Sequence, residues 1–181
     1  MKDMNLCKKA FLLRYNAAVK AQNEADDELD ALITIGSAIP IGDGLPHGTA
    51  DMSMPERFSM RAEKVEEDLR VAFERYAQTR KEVTEAIMAL EDERLIAIMR
   101  DRYINFKLTE YEEQHNSAAV RSRQMRMPTQ LRSWEEVADR NGYAYDTVKS
   151  MHGEALEKLA IPKDWIRKWS KERRTDNWEN D

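Results

Sequence analysis

SWEEVADRNGYAYDTVKSMHGEALEKL, residues 133–159, reads as two short helices around a glycine turn. Ser133 followed by Glu136 is a capping box, in which each side chain satisfies the other residue's backbone N–H at the start of a helix. That helix turns Trp134, Val137 and Ala138 inward. It stops at Asn141-Gly142, the pair most tolerant of a left-handed backbone. A second helix runs from about Tyr145, with Val148, Met151, Ala155, Leu156 and Leu159 on one face. Two helices joined by a short glycine-containing turn are the shape that lays the second helix in a DNA major groove. Binding of double-stranded DNA is therefore the expectation.

Upstream, residues 92–104 carry Leu95, Ile96, Ile98, Met99, Tyr103 and Ile104, an apolar set broad enough for a globular core helix. Further upstream lie two long helical patterns. In residues 6–35, Phe11, Tyr15, Ala18, Gln22, Ala25, Leu29 and Leu32 follow each other at alternating spacings of four and three. In residues 55–90, Phe58, Ala62, Val65, Leu69, Ala72, Tyr76, Thr79, Val83, Ala86 and Leu90 keep the same alternation. These are coiled-coil seams, one with a polar interruption at Gln22. Such narrow seams need partner helices, from an antiparallel hairpin within the chain or from another subunit. Between them, residues 36–56 hold Pro40, Pro46 and Pro55 and most of the glycines, and read as a loop.

The fold class expected is all-α: a long-helix coiled-coil hairpin over 1–91 with its loop at 36–56, then a helix-turn-helix domain over 92–162. That domain carries an insertion at 105–132, where Thr109 and Glu112 have the spacing of a helix cap. A tail occupies 163–181, with Trp165 and Trp169 on one side of a last short helix.

Composition agrees with a helix-rich protein: 41% hydrophobic and 35% charged, with six glycines and five prolines. No apolar run approaches the roughly 20 residues of a membrane span, and the N-terminus lacks the pattern of a signal peptide. The single cysteine, Cys7, leaves no internal disulfide framework and suits a reducing cytoplasm. Net charge is −5, yet its distribution is uneven. Residues 121–174 hold 13 Lys+Arg against 8 Asp+Glu, whereas residues 1–120 hold 16 against 23. A basic C-terminal third on an acidic body is the asymmetry expected if only that third meets phosphate.

The stretch YDTVKSMHGEALEKL resembles the recognition helix of sigma-factor region four, SWEEVADRNGY its supporting helix and turn, and LIAIMRDRYIN at 95–105 the helix that opens that domain. RYIN, WEEVA, GY and HGEALEKL together resemble a family of small phage and prophage regulators with an N-terminal coiled coil and a sigma-like tail. The resemblance covers about 92–105 and 133–159. It implies a transcriptional regulator in the cytoplasm of a bacterial host, with RNA polymerase or another phage protein as partner. Two departures stand out. About 27 residues separate the opening and supporting helices, and Tyr145-Asp146-Thr147 replaces an Arg-Glu-Arg-like run. Asp146 keeps an acceptor suited to cytosine N4, but promoter-element specificity does not carry over.

In the helix-turn-helix reading, Tyr145, Asp146, Lys149, Ser150 and His152 face the groove, and Arg140, Lys158, Arg121, Arg123, Arg126 and Arg132 contact phosphates. Trp134 is expected as a core anchor. Homo-oligomerisation through the coiled coil is also expected, beside an antiparallel hairpin within the chain. Two other readings stay open: a DNA-packaging recognition subunit of the small-terminase kind, and an interaction module whose helix-turn-helix no longer meets DNA. Catalysis is not expected. His47, His115, His152 and Cys7 share no metal-ligand spacing, Gly42-Asp43-Gly44 lacks the lysine and hydroxyl of a phosphate loop, and no cofactor is implied.

Overall fold

The computed structural model describes residues 2–38, 54–107 and 127–176. The described elements are helical: α1 (Lys2–Ala38), α2 (Met54–Met88), α3 (Glu93–Tyr103), α4 (Trp134–Asn141), α5 (Tyr145–Lys158) and α6 (Lys163–Asp176). No described helix is long and apolar enough to cross a membrane. Both long helices reach past their expected ends into 36–56. The heart of that segment, the Thr109–Glu112 cap, Arg121, Arg123, Arg126 and the last five residues lie outside the described residues.

Helices α1 and α2 run antiparallel. Arg14 donates to Glu82 at 2.6 Å near one end, Tyr15 stacks on Tyr76 at 5.7 Å, and Arg61 meets Glu28 at 3.6 Å farther along. Their packing changes along the length. Near the start of α1, Cys7, Phe11, Leu12, Tyr15, Ala18 and Val19 are all buried, a broader face than the seam alone predicts. The reason is that α3, α5 and α6 also pack there. Beyond Asn23, among the described residues, α1 meets α2 alone; Leu32 and, on α2, Val65 are buried there, whereas Ala25 and Leu29 are only half-buried. Opposite them Phe58, Ala62, Leu69 and Ala72 are likewise half-buried.

The core does not break near residue 91. Phe11, Leu12, Val83, Ile87 and Leu90 join Leu95, Met99, Tyr103, Ala155, Leu156 and Leu159 in one cluster. A smaller cluster of Ile98, Val137, Ala138 and Val148 holds α3, α4 and α5 to each other. Met127 and Thr129 are tied down by polar side chains of α1. Buried Asn23 donates to the Met127 carbonyl at 2.8 Å and accepts from its N–H at 3.2 Å, while Asn16 donates to the Thr129 carbonyl. A single bridge, with Lys107 N–H donating to the Gln130 carbonyl at 2.7 Å, closes the 105–132 insertion at its base.

Candidate nucleic-acid interface

The starts of α3 and α4 and the turn after α4 have local causes. Asp92 caps α3 by accepting from Arg94 N–H at 2.9 Å, and its bonds to Arg94 hold its carboxyl down at about 2. Ser133 and Glu136 form the full reciprocal capping box: Ser133 Oγ accepts at 3.2 Å and Glu136 Oε2 accepts at 2.9 Å. Gly142 adopts φ 70°, a left-handed conformation that strains most residues. Tyr143 N–H donates back to the Ala138 carbonyl at 3.1 Å, as in a Schellman stop. A Cβ at Gly142 would meet nothing within 4 Å, so the glycine is required by its dihedral and not by crowding.

Helix α5 is divided lengthwise. Val148, His152, Ala155 and Leu156 are buried, whereas Tyr145, Asp146, Thr147, Lys149 and Ser150 are exposed. Lys149 Nζ lies 4.7 Å from the centre of the Tyr145 ring, and the Tyr145 hydroxyl is the main influence raising its pKa. Lys158, at the far end, is exposed and pairs with Glu154 at 2.6 Å. Arg140 is exposed but leans on Asp101 at 3.4 Å, and Arg132 is half-buried, its Nε donating to the Asn105 carbonyl at 2.8 Å. The structure therefore brings Tyr145, Asp146, Lys149 and Ser150 onto one open patch. Arg140, Arg132 and Lys158 sit elsewhere around the unit, each with an internal partner.

His152 corrects the sequence reading. It is 6% exposed, its Nε2 shares a 2.9 Å hydrogen bond with the Tyr103 hydroxyl, and its ring lies 4.6 Å from that of Trp134. A groove contact from this side chain is excluded without unpacking the unit. Burial is the main cause that lowers its pKa to about 4, with smaller repulsion from Lys9 and Arg102, while Tyr103 is pushed up to about 12 by burial. The signal was present in the sequence: His152 stands four residues after Val148 and three or four before Ala155 and Leu156, on the apolar stripe. Trp134 serves as the expected anchor, half-buried between His152 and the Arg102 guanidinium 4.6 Å from its ring centre.

Sequence reasoning also missed how α5 is held at its far end. Lys8 on α1 donates to the carbonyls of Leu156 and Glu157 at 2.7 and 3.0 Å, satisfying C-terminal groups that a helix leaves open. Trp165 packs back on the core, its Nε1 donating to the Cys7 carbonyl at 3.3 Å and its ring edge-on to Phe11 at 5.9 Å. No cluster of three or more His, Cys, Asp or Glu among the described residues is arranged to hold a metal ion. Comparison of the chain with protein-family models, with curated proteins and with solved structures found no match in any of the three.

Proposed function

We propose that this chain is a DNA-binding transcriptional regulator of the phage type. In this reading α4, Gly142 and α5 are a helix-turn-helix of the sigma-region-four kind, carried on a coiled-coil hairpin. The observation that carries the reading is the lengthwise division of α5: an inner face sealed into the core and an outer face, from Tyr145 to Ser150, left open. A recognition helix needs both, because its register must be rigid while its side chains reach base edges. Asp146 would accept from cytosine N4, Lys149 would donate to guanine or phosphate, and Tyr145 and Ser150 would flank them. Ala144 provides no side-chain cap, which leaves the first N–H groups of α5 for a phosphate oxygen. Partners in this setting would be RNA polymerase or another phage protein in a bacterial cytoplasm.

Fluorescence anisotropy with mixed-sequence duplex tests it. Binding at low salt should weaken with a slope of about 0.9 per phosphate neutralised. No binding even at low salt removes the DNA reading. One observation favours the interaction-module alternative. The outer surface of α5 and the first turn of α4 carry Asp146, Glu154, Glu157 and Glu135, and Lys158 is already paired. A basic protein surface would then be the target, and the same titration separates the two.

Self-association is part of the proposal. The half-buried Ala25, Leu29, Ala62 and Leu69 of the seam and the exposed Met60, Val71 and Phe73 on α2 leave apolar area for helices of a second copy. Mass in solution distinguishes a dimer, expected of the regulator, from the multi-subunit ring of a packaging subunit.

A further inference from the structure

Away from the α5 patch, α1, α2 and the start of α6 enclose an open cleft of about 540 Å³. That volume falls within the roughly 300–1,000 Å³ of small-molecule sites. Its floor is made by Ala17, Ala18 and Ala21 of α1, three small side chains in a row where a larger one would close the space. Trp165 supplies an aromatic wall, held in place by its bond to the Cys7 carbonyl. The Arg14 guanidinium lies 5.0 Å from that ring and is already neutralised by Glu82 at 2.6 Å.

Two further cations stand at the cleft with little to occupy them. Arg75 is exposed and makes no hydrogen bond or ion pair among the described residues. Among the described residues Lys168 reaches only Glu172, at 3.9 Å, the limit of an ion pair. Asp164, the acid on the rim, is 94% exposed and turns toward Arg167 at 3.4 Å. Within the cleft Thr79 of α2 is 4% exposed, yet its hydroxyl makes no hydrogen bond among the described residues. That hydroxyl opens on the cleft and is left to bond to whatever occupies it.

We propose that this cleft binds a small organic anion, a carboxylate on a flat apolar body. The body lies on the alanine floor against the Trp165 indole, the carboxylate meets Arg75 and Lys168, and the Thr79 hydroxyl donates to the ligand. Charge-assisted bonds of this kind are the stronger class, and a planar guanidinium matches a carboxylate in shape. The site stands apart from the DNA reading and does not depend on it.

Titration calorimetry of the full chain with naphthalene-2-carboxylate tests the proposal, with the neutral naphthalene-2-carboxamide as comparator. One-to-one binding is expected, with the carboxamide at least about tenfold weaker, since a bond to a charged group contributes about that factor. Arg75→Gln with Lys168→Gln should bring the carboxylate down to the level of the carboxamide and leave the carboxamide unchanged. Ala17→Trp, at an exposed position, should fill the cleft and abolish both, and Ala21→Leu gives the same test should the first variant fold poorly by circular dichroism. Absence of saturable binding in the parent overturns the proposal. So does carboxylate binding that survives both cleft-filling variants, or that ignores the loss of the two cations.

Discussion

Acid should begin to weaken this protein above the carboxylate range, and the first cause is one imidazole. His152 has a pKa of about 4 in the folded chain against an ordinary 6.5, because burial opposes its charge and Lys9 and Arg102 repel it. Between those two values the unfolded chain takes up a proton that the folded chain refuses. The unfolded state then binds more protons, so stability rises with pH across this window and is lost as pH falls through it. At about 1.36 kcal/mol per pH unit, the shift amounts to about 3 kcal/mol once pH is below 4, of which about 2.5 kcal/mol is lost already by about pH 4.5. That is a large share of the ~5–15 kcal/mol of a typical domain. Urea unfolding followed by circular dichroism, from pH 7 to pH 4.5, gives the slope directly. His152→Gln is the control, since an amide can still pair with the Tyr103 hydroxyl but cannot charge. The wild-type slope should exceed that of the variant by close to the one-proton value between about pH 6 and 4.5, since carboxylates held low in the folded chain contribute equally to both. Equal slopes in the two proteins, or an NMR titration of the His152 ring with a midpoint above 6, would refute the assignment of this histidine to the core.

Three further outcomes are expected. Gly153 lies within α5 and a Cβ there meets nothing within 4 Å, so Gly153→Ala should stabilise by about 0.5–1 kcal/mol in the same urea assay; destabilisation would mean that a neighbour approaches more closely than the structure gives. Asn23→Leu removes both bonds to the backbone of Met127 and should cost about 1–3 kcal/mol, with faster proteolysis near residue 127 as its local signature. Asp146→Ala and Lys149→Ala should change the sequence preference in competition between duplexes, by about 1–3 kcal/mol at a base pair each side chain reads; unchanged preference in both would reject these groove contacts.

The parts of the fold that were legible in the sequence are those with local causes. Ser133 and Glu136 lie three residues apart and need only each other, and Gly142 needs only its own dihedral. Helix α4 and the turn could therefore be read to within a residue. The long helices were legible because four-three spacing repeats many times. What stayed hidden depends on contacts across the chain. Asn16 and Asn23 look like surface residues beside a seam until residues 127–129 return to meet them, more than a hundred positions later. Lys8 looks like a solvated lysine until the end of α5 arrives beside it. For His152 the stripe held the information, but a histidine among Lys149, Ser150 and Glu154 reads as polar. Its burial depends on the hydroxyl of Tyr103, 49 residues away. Of the α5 patch, the exposed positions were legible from periodicity; the internal partners of Arg140 and Arg132 were not.

The shared core has a consequence for how a dimer would meet DNA. Lys8 on α1 grips the carbonyl end of α5, and α1 then continues as one helix to Ala38. At 1.5 Å per residue, the 30 residues from Lys8 to Ala38 span about 45 Å. Each α5 is thereby fixed to one end of a long arm, and a second copy pairing on the exposed Met60, Val71 and Phe73 would sit farther along it. Two arms joined tip to tip would set their α5 helices up to about 90 Å apart, well beyond the roughly 34–36 Å between half-sites on successive turns of a duplex. Two arms lying side by side in the same direction would bring the heads together and let both helices enter adjacent major grooves. A regulator with closely spaced half-sites would therefore favour parallel pairing of the arms over tip-to-tip pairing. Tip-to-tip pairing would demand widely separated sites or looped DNA, so the spacing of protected half-sites in a footprint reports how the arms associate.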